Sequence, residues 1–124
     1  MGRKQKVWLS YDLGVEGDYE GLYEWLGEQG AEECGDSVAV FSYPYKVDLA
    51  RELVRHIKKD VTLHRRARLY LIYRDDATQT LKGRFIVGGR RRPPWAEYTK
   101  KAIDDVEDVL FSEADSPKSR RRAG

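Results

Sequence analysis

The chain has 124 residues, of which 40% are apolar, enough for one hydrophobic core and too few for two ordinary domains. Charged residues reach 35%, and no apolar run approaches the roughly 20 residues of a membrane span, so a helical membrane protein is excluded. The net charge of +2 hides a segregation: Val7 to Tyr45 carries nine acids and no Lys or Arg, whereas Lys46 to Lys101 carries sixteen basic residues against six acids. Such asymmetry marks a polar interaction surface, in which the basic half meets nucleic acid or the two halves pair between copies. The opening MGRKQKVWLSYD lacks the apolar stretch of a signal peptide. The lone Cys34 precludes an intramolecular disulfide and fits a reducing compartment, so the expected location is cytoplasmic.

Val7 to Leu13 reads as a strand, with Val7, Leu9, Tyr11 and Leu13 on one face and Trp8, Ser10 and Asp12 on the other. Asp18 is placed to cap a helix whose stripe is Tyr19, Leu22, Tyr23 and Leu26, ending near Gly30. Ala31 to Cys34 and Ser37 to Tyr43 form two strand candidates around Gly35-Asp36, the second closed by Pro44. Asp48 caps a second helix with Leu49, Leu53 and Ile57 in its stripe. Arg68 to Arg74 is a strand, Asp75-Asp76 starts a turn, and Leu81 to Val87 returns as a hairpin partner. Pro93-Pro94 stops regular structure. A last helix is expected from about Ala96, with Ile103, Val106 and Leu110 on one side.

The order β-α-β-β-α-β, followed by an extra strand and helix, predicts an α+β, ferredoxin-like split-βαβ fold. It has one antiparallel sheet with an added hairpin strand and a C-terminal helix. A single domain spans residues 1–111, and residues 112–124 form a basic tail with too little apolar content to order. Both helices then lie on one sheet face. Trp8, Phe41 and Tyr70 are expected on the other face, to be covered by a second subunit or by the C-terminal helix.

VWLSYDL, a loop, DYEGLYEWL and DSVAVFSY together resemble the start of the CRISPR-associated Cas2 proteins and their small Cas2-like or SinR-like relatives. The resemblance covers roughly residues 6 to 75. It implies a ferredoxin-like homodimer associated with nucleic acid. In nuclease-competent members of that family the strand-end aspartates of two subunits hold a divalent metal, which makes Asp12 a catalytic and metal-binding candidate. The loop after it, GVEGDYEG, is acidic where the family's is basic, and the segment KGRFIVGGRRRPPW has no counterpart there.

That segment is the most pointed stretch of the chain. Cationic side chains beside aromatic rings on non-helical backbone suit phosphates and stacked bases. Arg84, Arg90, Arg91, Arg92 and Trp95 are therefore the nucleic-acid-binding candidates, with basic residues of the second helix in support. An acidic protein partner would satisfy the same arginines, and Trp95 has an alternative reading as a cap on the core edge. Lys82 to Val87 is similar to the RNP1 motif of RNA-recognition modules but lacks its second aromatic residue. Asp12 has an alternative role too, since a strand-end Asp before Gly turns the chain through its own backbone. His56 and His64 lack partners at zinc-ligand spacing, and no phosphate-binding loop or hydrolase triad is visible. The expectation is a non-catalytic nucleic-acid-associated homodimer, with DNA or RNA as partner and no cofactor. Its rivals are a protein-interaction scaffold and a nuclease, for which alone Mg²⁺ would be needed.

Overall fold

The computed structural model describes residues 2–98, and the chain falls into two compact units that divide between Arg90 and Arg91. In the first unit, β1 (Arg3–Asp12), β2 (Glu32–Glu33), β3 (Val38–Tyr45), β4 (Arg68–Asp75) and β5 (Thr80–Val87) form one antiparallel sheet in the order β2-β3-β1-β4-β5. Two helices, α1 (Tyr19–Glu28) and α2 (Leu49–Asp60), accompany it. The unit is therefore α+β, and its layout is compatible with a ferredoxin-like fold.

Alternation along each central strand decides which face meets the helices. Val7 and Leu9 of β1, Ala39, Phe41, Tyr43 and Tyr45 of β3, and Leu69, Leu71 and Tyr73 of β4 are buried in one core with Leu22, Trp25 and Leu26 of α1. Leu49, Ala50, Leu53 and Ile57 of α2 complete it. Period 2 on the strands thus meets period 3.6 on the helices. Phe41 corrects one expectation: it pairs with Val7 across β1 and β3 and is 4% exposed, so it belongs to the helix face. Its neighbour Val40 stands opposite Trp8 on the outer face. The Phe41 ring instead meets Trp25 edge to face at 5.6 Å.

β1 starts four residues before the predicted strand, pairing Arg3 with Tyr45. β3 correspondingly continues through Pro44, which was expected to end it. β2 pairs only with Ala39 and Val40, so Pro44 lies on an edge where proline removes no ladder bond to an outer strand.

Both helices begin as predicted. The Asp18 carboxylate accepts from Gly21 N–H at 2.9 Å and also from Thr62 N–H at 2.9 Å, tying the start of α1 to the end of α2. Asp48 accepts from Arg51 N–H, while the Glu52 carboxylate accepts from the N–H groups of Lys46, Val47 and Asp48. The bonds from Gly21, Asp48 and Arg51 occupy donors that a helix start leaves without intrahelical partners.

β4 and β5 pair with a register shift between Leu69 and Tyr70: Leu69 faces Val87, but Tyr70 faces Phe85. Ile86 is the extra residue of this bulge. From the turn up to Tyr70 and Phe85 the register is unbroken, so Leu81, Gly83 and Phe85 share the outer face by plain alternation, and the bulge shifts only the residues beyond Phe85.

In the second unit Pro93 and Trp95 precede a 3-10 turn, Ala96–Tyr98, closed by bonds from Ala96 N–H to Pro93 C=O and from Tyr98 N–H to Trp95 C=O. Of the helix expected from Ala96, the described residues hold only this first turn. Its apolar stripe Ile103, Val106 and Leu110, and the tail at 112–124, lie outside the described residues.

Candidate nucleic-acid interface

The outer face is the one that neither helix covers, and cross-strand register orders its side chains in rows. One row is the pair Asp12 and Arg68. The next is Val38, Ser10, Tyr70 and Phe85, and the third is Val40, Trp8, Ile72 and Gly83. Beyond these lie Lys6 opposite Ser42, Arg74 opposite Leu81, and Lys4 opposite Pro44. The centre is aromatic and aliphatic; Lys4, Lys6 and Arg74 lie towards one end, and the Asp12–Arg68 ion pair lies at the other.

Tyr70 and Phe85 meet edge to face with ring centroids 4.8 Å apart. The guanidinium carbon of Arg90 lies 5.4 Å from the Phe85 ring centre, within the range of a cation–π contact. Gly83 has a steric reason to be glycine: a Cβ there would run into the Tyr70 ring and hydroxyl. The ring therefore lies flat across β5 rather than standing away from it. Gly88, at φ +73°, ends the strand in a conformation that L side chains rarely adopt.

Ser10, Tyr11, Asp12, Arg68, Tyr70, Phe85 and Arg90 enclose an open hollow of about 380 Å³. Small-ligand clefts run roughly 300–1,000 Å³, so it could admit about one nucleotide. Arg68 Nη2 is 3.1 Å from Asp12 Oδ2, and Asp12 Oδ1 accepts from Gly14 N–H at 3.2 Å. Arg68 Nε is buried without a hydrogen-bond partner, so the Asp12 pair leaves part of the guanidinium fork unused. Burial, aided by Tyr23, pushes the Tyr11 phenol above its ordinary range and keeps it protonated at neutral pH.

The predicted residues are partly gathered here. Asp12 and Arg90 both line the hollow. Arg84 does not: it pairs with Leu71 on the helix side and lines a separate depression with Tyr45, Asp48 and Asp76. Arg91, Arg92 and Trp95 belong to the second unit, where all three are exposed and Trp95 is 62% exposed. Among the described residues no three His, Cys, Asp or Glu side chains gather as a metal site. His56 Nδ1 sits 2.9 Å from the Tyr43 hydroxyl, and Cys34 is exposed. No described helix is long and apolar enough to cross a membrane.

No family model matches this chain, and no curated protein or solved structure matches it. Arg68 and Tyr70 are not among the predicted binding residues, although Tyr70 is expected on the outer face and lies there. Their signal was the alternation Arg68, Tyr70, Ile72, which sets three non-core positions on one face of β4. Tyr70 stands directly across the sheet from Phe85 of the Lys82–Val87 segment.

Proposed function

We propose that this protein is a non-catalytic nucleic-acid-associated module with a ferredoxin-like fold of the Cas2-like kind. The observation that carries this reading is the joint placement of Arg68 and Arg90 around the Tyr70–Phe85 ring pair. Guanidinium groups bind phosphate through planar forks, and aromatic rings beside them offer surfaces to bases. Arg91 and Arg92 follow directly in sequence and extend the cationic run.

Asp12 enters as a structural carboxylate. It turns the chain through Gly14 N–H and balances Arg68. A carboxylate engaged with a guanidinium is a poor start for a Mg²⁺ shell, which needs several free oxygens. Mg²⁺ would belong to the protein only as a nuclease.

A second reading, a homodimeric scaffold, is favoured by Ile72 and Leu81, which are 37% and 67% exposed on the outer face. Electrophoretic mobility shifts with single- and double-stranded DNA and RNA, with and without Mg²⁺, separate these readings. The nucleic-acid reading expects a shift that does not require Mg²⁺ and no cleavage. A chain that shifts no nucleic acid and sediments at about twice 14.4 kDa would establish the scaffold instead.

A further inference from the structure

Resting on that reading, we propose that the outer sheet face is a platform for a single strand of nucleic acid. Unpaired bases would lie on Trp8, Tyr70 and Phe85, and the backbone would be held at both ends of the apolar centre. Arg68 and Arg90 form one cationic end, and Lys6 and Arg74 the other. Arg68 and Arg74 are six residues apart on β4, a separation of roughly 20 Å along a strand.

Three features select this occupant. First, the cations flank the rings instead of covering them, so a ligand that meets both must present anionic backbone and flat apolar groups together. A duplex keeps its bases stacked inside and would set only phosphates against an apolar centre. Single strands expose both, and base–aromatic stacking is their usual mode of capture. Second, glycine at 83 leaves room for the Tyr70 ring beside Phe85, on the outer face. Third, the charge of this face disfavours a second copy of itself. Lys4, Lys6, Arg68, Arg74 and Arg90 stand against Asp12 and Glu32 among its described residues. A two-fold pairing of identical faces would press these cationic ends together.

The test is fluorescence anisotropy with labelled oligothymidylate and oligouridylate of about eight nucleotides, within the site size of single-strand modules. A duplex of matching length and a polyglutamate peptide are the comparison probes. The single strands are expected to bind more tightly than the duplex. Phe85→Leu and Tyr70→Leu keep apolar bulk but remove the rings. Each should weaken single-strand binding by at least roughly fivefold, the lower end of what one stacked base contributes. Thermal melting identifies any variant that merely fails to fold, and Trp8→Leu then provides a third, independent ring. Equal affinity for duplex and single strand, unchanged by folded ring variants, would overturn the platform while leaving nucleic-acid association standing. Binding of polyglutamate but of no oligonucleotide would overturn both.

Discussion

Gly83 and Tyr70 are the residues on which the geometry of the outer face turns. Gly83→Ala should destabilise the fold by about 1–3 kcal/mol, the usual cost of forcing an extra methyl into occupied space. The cost should largely disappear in a Tyr70→Ala background, because the obstacle is that ring. Denaturant melts of the two single variants and the double variant check this. At Asp12 the expectation is milder. Asp12→Asn keeps an oxygen for Gly14 N–H and weakens a partly exposed ion pair with Arg68, so stability should change by about 1 kcal/mol or less. Labelled DNA and RNA incubated in Mg²⁺ or Mn²⁺ should stay intact with either protein. Cleavage by the wild type that vanishes in Asp12→Asn would make Asp12 catalytic. The turn role of Asp12 was legible in the sequence, since Asp before Gly at a strand end has a local cause. Its ion pair with Arg68 was not, because that contact spans 56 positions and depends on how β1 and β4 align.

Helix starts share the pH dependence with the β4–β5 turn, where Thr78 holds Asp75 and Tyr45 holds Asp76 below the ordinary carboxylate range. Asp18 is held below its ordinary carboxylate range first by Thr62 N–H and then by Gly21 N–H. Glu52 is lowered by the N–H groups of Asp48, Val47 and Lys46. Both folded values lie below the unfolded ones. The stability they contribute is therefore full above the unfolded range, about pH 4, and is lost as pH falls through the depressed folded values. Melting temperature should drop through that acid window, and less so in Asp18→Asn with Glu52→Gln, which keep the shapes without the charges. Both caps were readable in sequence because Asp18 and Asp48 each stand directly before an apolar stripe of helical spacing. The face of Phe41 was misjudged for a physical reason: parity in β3 is set by pairing with β1, and isolated FSY gives no origin for the count. The bulge beyond Phe85 was hidden likewise, since one extra residue shifts Val87 without a distinctive residue to announce it.

At the scale of the sheet, β2, β3 and β1 from the acidic stretch stand side by side, and β4 and β5 from the basic stretch follow them, so the segregation in sequence persists across the sheet. β1, from the acidic half, contributes Trp8, Ser10 and Asp12 to the same face as Arg68, Tyr70 and Arg74. What composition foretold was an electrostatic surface, and what it could not place was the aromatic centre between the cations. Replacing Arg90, Arg91 and Arg92 together by alanine should leave melting almost unchanged, because exposed substitutions usually cost within about 0.5 kcal/mol each. Nucleic-acid affinity should nevertheless fall, and mobility shifts at constant salt check it. Most direct is the dependence of oligonucleotide affinity on salt concentration. If Lys6, Arg68, Arg74 and Arg90 each displace a counterion from a single strand, log affinity should fall against log salt with a slope of about −3. A slope near zero, or the absence of binding at low salt, would contradict a phosphate-binding role for this face.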